Sequence, residues 1–251
     1  MRQYGNKHKI SYPNRTDIRR VAEQFKGEIE DVRVIPHPKD LRSWFDFGPI
    51  SRALIDTYPD IMQADVVQIY PASTDRLEAK RVELVIRTFG EIKKMGYSVM
   101  LVIANQWATG RGKKENIQRY TQIARRSGME LGEICFTSNW RKEYVTGLPK
   151  EALRELFMCS NLFLFPTREE TFGLVLPEAC LSGGVLPVLN KSLQNQMEIS
   201  GMHADYIDFG SFDSSAPAAS DPQFPKAVAE IIMGRMLRNE SIMTKTYMRQ
   251  R

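Results

Sequence analysis

Glu170 and Glu178 stand eight positions apart in the run Thr167-Arg168-Glu169-Glu170-Thr171-Phe172-Gly173-Leu174-Val175-Leu176-Pro177-Glu178-Ala179, with Gly173 between them. An apolar run, Leu162-Phe163-Leu164-Phe165, comes just before and reads as a buried strand ended by Pro166. Strand, polar loop and helix start form the junction at which α/β folds place their ligands. Two carboxylates there accept hydroxyl hydrogens or hold cations. The free N–H groups at a helix start attract an anion. A ligand carrying both hydroxyls and phosphates would engage all of these groups.

Paired carboxylates also serve glycoside hydrolysis, where they stand ~5–10 Å apart. On one continuous helix, eight residues would separate Glu170 and Glu178 by about 12 Å along the axis. That is too far for an acid–nucleophile pair and suits the two ends of one extended ligand. His8, His37 and His203 are isolated, so no metal site is expected. There is no G-x-S-x-G elbow and no P-loop lysine motif.

The elements that must position these residues alternate between strand and helix. Strands are expected over Ala64–Tyr70, Tyr97–Ile103, Ile134–Phe136, Asn161–Phe165 and Val185–Leu189. Helices are expected over Ala79–Lys94, Glu115–Arg126, Pro149–Met158, Gly173–Leu181 and Phe224–Arg238. The stripe Val82, Val85, Ile86, Phe89, Ile92 has helical spacing. Strands joined by helices of this length imply a parallel sheet covered on both faces, a doubly wound α/β domain.

The bulk composition is that of a globular protein: 251 residues, 42% hydrophobic, 26% charged, net charge +5. No apolar run approaches the ~18 residues of a membrane span. The basic balance suits an anionic ligand. Basic residues are not interleaved with aromatics in a nucleic-acid-binding stripe, so no nucleic-acid partner is expected. Cys135, Cys159 and Cys180 read as free thiols, which points to a reducing cytoplasm.

The ends do not read as one complete domain. Ile10–Tyr12, a helix near 17–25 and Val32–Ile35 form a lone α/β piece, and Pro36-His37-Pro38 reads as a linker. Residues 1–40 are therefore expected to be the edge of an amino-terminal domain plus linker. Residues 41–251 are expected to be a ligand-binding domain truncated at its carboxyl end, with 40–64 a packed connection and Ser211–Pro225 a loop.

The run Asn161–Gly201 resembles the carboxyl-terminal half of the retaining, nucleotide-sugar-dependent glycosyltransferases of GT-B fold, the group with an E-x7-E motif. It carries Phe165-Pro166-Thr167, Glu170, Phe172-Gly173-Leu174, Glu178-Ala179, Ser182-Gly183, Val185–Leu189 and Glu198. Upstream, Gln68 to Arg81 resembles that family's first strand and donor-phosphate loop. The resemblance covers about 31–240 and implies a Rossmann-like carboxyl-terminal domain beside a remnant of a second α/β domain.

The resemblance further implies roles. Glu170 would contact the donor sugar and Glu178 the nucleotide ribose. Backbone N–H groups around Phe172, Gly173, Leu174 and Val175 would meet the diphosphate, and Thr137 and Asn139 would lie near the base. Arg76 and Lys80 would neutralise charge building on the leaving diphosphate. The family's lysine usually falls five positions after the arginine, where this chain has Arg81, so Arg81 stays open beside Lys80. Glu198 matches a glutamate of variable role. Asp75 replaces the glycine usual before the arginine, and Val185 a usual proline.

The implied activity is metal-independent transfer of a hexose, with retention, from a nucleotide diphosphate sugar to a hydroxyl of a glycan, a lipid-linked sugar or a small molecule. No cofactor beyond the donor substrate is implied. A cytoplasmic location is implied, with peripheral membrane association of the parent enzyme left open. The fragment alone would lack half the cleft and transfer little or nothing. A non-catalytic nucleotide-sugar module is the alternative, as is an epimerase or a glycan phosphorylase on the same fold.

Overall fold

The computed structural model describes residues 7–12, 15, 17–35, 47–170, 173–182, 184–212, 216, 220–239 and 242. The chain divides into two compact units, Met1–Trp44 and Phe45–Arg251. In the smaller, β1 (Lys9–Tyr12) and β2 (Asp31–Val34) pair in parallel, joined by α1 (Ile18–Gln24). Among its described residues, Val21 and Val32 are buried. The expected linker Pro36–Pro38 lies outside the described residues.

The larger unit opens with α2 (Pro49–Thr57) and α3 (Asp60–Gln63). There follow β3 (Val66–Ser73), α4 (Val82–Lys94), β4 (Val99–Gln106), α5 (Arg111–Arg126), β5 (Ile134–Phe136) and α6 (Thr137–Trp140). The second half comprises α7 (Lys150–Cys159), β6 (Leu162–Phe165), α8 (Val175–Leu181), β7 (Leu186–Asn190), α9 (Gln194–Ser200), β8 (Asp205–Ile207) and α10 (Phe224–Arg238). β3-β4-β5 form one parallel ladder and β6-β7-β8 another. The two ladders meet at β3 and β6 through side chains. Gln68 Nε2 donates to the Leu164 carbonyl at 2.8 Å, and the Leu164 N–H donates to Gln68 Oε1 at 3.0 Å. Asn161 does the same one step back: Val67 N–H donates to its Oδ1 at 2.9 Å, and its own N–H donates to the Val67 carbonyl.

The spatial order is thus β5-β4-β3-β6-β7-β8. α4 packs beside α5, and α7 beside α8. α10 packs on α4, and α2 on α7. β6 and β7 are buried along their whole length, as strands covered on both faces must be. Val82, Val85, Ile86, Phe89 and Ile92 of α4 are all buried, as their spacing requires. Gly90 permits close approach of α4 to the end of α5: a Cβ there would lie 2.3 Å from the Ser127 carbonyl oxygen. No helix among the described residues is long and apolar enough to cross a membrane.

Several boundaries differ from the expected ones. β3 and β4 run three residues further, to Ser73 and Gln106, because they stay paired in register to their ends. α4 starts at Val82 rather than Ala79, because Arg81 adopts a left-handed backbone (φ 52°, ψ 41°) that ends any helix preceding it. The described part of the 40–64 connection is helical. Its first helix is fixed by Glu155, whose buried carboxylate accepts the N–H of Gly48 at 2.9 Å. β8 carries only three residues and gave no strand signal.

Candidate functional site

The chain order reverses between β3 and β6, and the loops leaving their carboxyl ends lie side by side, the place where open α/β sheets bind ligands. A cleft of about 460 Å³ opens there. The β3 side contributes Arg76 and Lys80; the β6 side contributes Glu170, Gly173, Leu174, Val175 and Glu178. Seven of the residues expected from sequence therefore line one cavity. Phe172 lies outside the described residues.

The β3 loop is held by short polar contacts. Thr74 Oγ1 donates to the Gln106 carbonyl at 2.7 Å, and Asn105 Nδ2 donates to Thr74 Oγ1 at 3.1 Å. Asp75 turns to Lys113 on α5, 2.9 Å away. An aspartate thus takes the place of a flexible glycine by tying the loop to a helix. Arg76 follows at the cleft, in an exposed ion pair with Glu169.

Lys80 is nearly buried. It pairs with Glu170, and its Nζ sits 4.7 Å from the centre of the Phe165 ring. Tyr70 Oη donates to the Lys80 carbonyl at 2.7 Å. Burial, and then the charge of Glu170, raise the Tyr70 phenol well above its ordinary range, so it stays a donor. Arg76 and Lys80 therefore each have a glutamate beside them.

On the β6 side, Gly173 has φ +77°. A Cβ there would lie 2.9 Å from Gln196 Nε2 and 3.1 Å from Glu170 Cγ, so only glycine fits without displacement. Asn195 donates its side-chain N–H to the Glu170 carbonyl oxygen. α8 begins at Val175, two residues later than expected, and Glu178 lies in its first turn. The backbone N–H groups that open a helix have no partner within it.

Four expected residues stand elsewhere. Arg81, the alternative to Lys80, lines a different cavity. Thr137 is buried, with Oγ1 3.5 Å from the Asn105 carbonyl oxygen to which it donates, and has no surface to offer a base. Asn139 is exposed and does not line the cleft. β5 runs straight into α6, and Thr137 and Ser138 are buried in the domain. The cleft wall on this side is instead built by Gly147, Leu148, Lys150 and Leu153 at the start of α7. Glu198 is exposed on α9 and also stands off the cleft.

Two residues here were not anticipated. Lys150 adds a third cation to the lining. Gln196 is fully buried, and neither its Oε1 nor its Nε2 has a hydrogen-bond partner. A buried amide without partners costs ~1–3 kcal/mol and calls for a reason. It abuts Gly173, in the loop bearing Glu170. Neither residue belongs to a spacing pattern, so no sequence signal marked them.

No protein-family model and no curated protein sequence matches this chain. Solved structures do. A UDP-forming α,α-trehalose-phosphate synthase from Burkholderia xenovorans superposes with a TM-score of 0.54 at 14% identity, over 97% of this chain and 57% of that one. HepE from Anabaena, in complex with UDP, gives 0.53 at 16% identity, over 96% and 57%. Sucrose-phosphate synthase from Thermosynechococcus elongatus gives 0.52 at 16% identity, over 96% and 52%. The chain spans little more than half the length of these structures. What it shares with them is the fold, the parallel α/β architecture of the GT-B glycosyltransferases.

Proposed function

We propose that this chain is the donor-binding part of a metal-independent, retaining glycosyltransferase that moves a sugar from a nucleoside diphosphate sugar to an acceptor hydroxyl. One observation carries the reading. Two cations from the loop after β3 and two carboxylates from the loop and helix after β6 converge on one cleft at the switch point of the sheet. The solved structures of like fold add support, one being UDP-forming and another holding UDP.

In this reading the diphosphate lies between Arg76, Lys80 and the amides near Gly173, with Lys150 within the same lining. As the bond from sugar to phosphate breaks, negative charge grows on the leaving diphosphate. Cations fixed in a half-buried cleft stabilise that charge more than water does. Glu170 takes sugar hydroxyls and Glu178 the ribose hydroxyls, since a carboxylate accepts two such hydrogen bonds well. The base packs on Leu148 and Leu153, in place of the expected contacts with Thr137 and Asn139. Gln196 packs behind Gly173.

The glutamates beside Arg76 and Lys80 keep both cations oriented before the anion arrives, and the diphosphate must compete with them. Affinity should therefore fall steeply with salt. Calorimetry with UDP, GDP, ADP and TDP tests the reading, and a folded sample that binds none of them sinks it. Binding without transfer is expected, because the chain spans only about half of the length of its structural neighbours.

A further inference from the structure

The loops that supply Lys80 and Glu170 also supply Arg81 and Arg168, which line a second cavity of about 430 Å³ together with Arg119. Among the described residues, none of these three arginines has a carboxylate partner. Arg119 lies over the Tyr120 ring at 5.2 Å, and Arg168 lies 5.8 Å from the Phe212 ring. Arg87, at the same cavity, is already satisfied by Glu83 at 2.7 Å. Asp221 accepts the Gln223 N–H at 2.8 Å at the start of α10. Glu78 is the remaining acid of the lining, so the cavity keeps an excess of positive charge.

Arg81 is the unusual member. Its backbone is left-handed, a conformation that costs a non-glycine residue on the order of 1 kcal/mol. Its Nε is buried and donates to nothing. Burial, and then the charge of Arg168, lower the proton affinity of its guanidinium. Strain, an unpartnered buried donor and an adjacent like charge meet at one residue. The unpartnered donor and the like charge would both be answered by an anion placed between the two guanidiniums.

We propose that this cavity binds a compact phosphate oxyanion, held by Arg81 and Arg168 with Arg119 beside them. Guanidinium forks match two oxygens of a phosphate at once. Free inorganic phosphate and the phosphate group of a monoester share that chemistry. The Arg168 N–H donates to the Ala79 carbonyl at 2.9 Å, so the anion would clamp two segments already in contact. The site stands whatever fills the neighbouring cleft.

Calorimetric titration of this chain with inorganic phosphate, and separately with glycerol 3-phosphate, tests the proposal at ionic strength fixed with chloride. One saturable site is expected for at least one of them, and the tighter of the two names the source. Arg81→Gly, which suits the backbone there, and Arg168→Gln should each weaken it at least tenfold. Arg76→Gln, in the other cleft, should leave it unchanged. No saturable binding of either anion overturns the proposal. So does binding that survives Arg81→Gly and is lost with Arg76→Gln, which would assign the anion to the cleft.

Discussion

Lys80 and Arg81 are consecutive in the chain, yet Lys80 lines the cleft beside Glu170 and Arg81 lines the cavity beside Arg168. The left-handed backbone of Arg81 makes the division. On a helix, neighbours point about 100° apart and both would remain on the rim of one site. Here the turn sends one cation to each side, and the helix starts only after both have been placed.

Replacing the two residues should therefore give opposite results. The side chains of Lys80 and Glu170 are 11% and 16% exposed, so Lys80→Met takes the paired cation from a mostly buried carboxylate. Removing one partner of such a pair costs about 3 kcal/mol in urea unfolding, and Lys80→Met/Glu170→Met should recover part of it. UDP affinity should fall at least tenfold in Lys80→Met. Arg81→Gly should leave UDP affinity unchanged and hold or raise stability, by up to about 1 kcal/mol. Equal loss of UDP binding in both single variants would contradict the division.

Gly173 and Gln196 make a second coupled pair. Gly173→Ala must bear a positive φ and a Cβ pressed on Gln196 Nε2. The conformational part costs about 1 kcal/mol, and the crowding displaces the Glu170 loop. In a Gln196→Ala background the clash with Gln196 is gone, and the conformational part and the contact with Glu170 Cγ remain. The two substitutions together should cost less stability than their separate effects added. Strict additivity in urea unfolding would show that the loop and α9 do not press on each other.

How far the sequence carries depends on whether a residue's role is local. The runs Leu162–Phe165 and Val99–Ile103 declare buried strands by composition alone. The order of strands and helices then fixes the switch point, and with it the meeting of Arg76 and Lys80 with Glu170 and Glu178. What stays hidden is side-chain work over long separations. Glu155 reaches Gly48, 107 positions away, and Gln68 reaches Leu164, 96 positions away. The choice between Lys80 and Arg81 turns on one φ angle. Thr137 is buried off the cleft because β5 is three residues long and folds at once into α6.

The seam between the two ladders gives the third prediction. Gln68 is fully buried and completes both polar groups of Leu164. Gln68→Leu keeps the volume and leaves a buried N–H and a buried carbonyl without partners. Each costs about 1–3 kcal/mol, so a loss of about 2–5 kcal/mol is expected in urea unfolding. A loss under about 1 kcal/mol would mean that the ladders repair the gap by pairing directly. The seam underlies the cleft, so UDP affinity should fall with it.

Cys135 sets a pH dependence. Burial pushes its thiol up to about 12 from an ordinary value of 9.0. The folded protein therefore keeps the proton through a range in which the unfolded chain gives it up. There the unfolded state binds fewer protons, so stability falls as pH rises, by about 1.4 kcal/mol per unit once pH exceeds the unfolded value. Below that value both states are protonated and the contribution is flat. Cys135→Ala removes the group from both states. Its stability deficit against the wild type, measured by urea at pH 8 and pH 10, should shrink by about 1.4 kcal/mol between them. A deficit that stays constant across the two pH values would show that the thiol ionises as readily folded as unfolded. The same burial makes Cys135 unreactive, since the thiolate is the nucleophile. The exposed Cys180 should therefore react with a disulfide reagent in the native protein, and Cys135 and Cys159 only after unfolding.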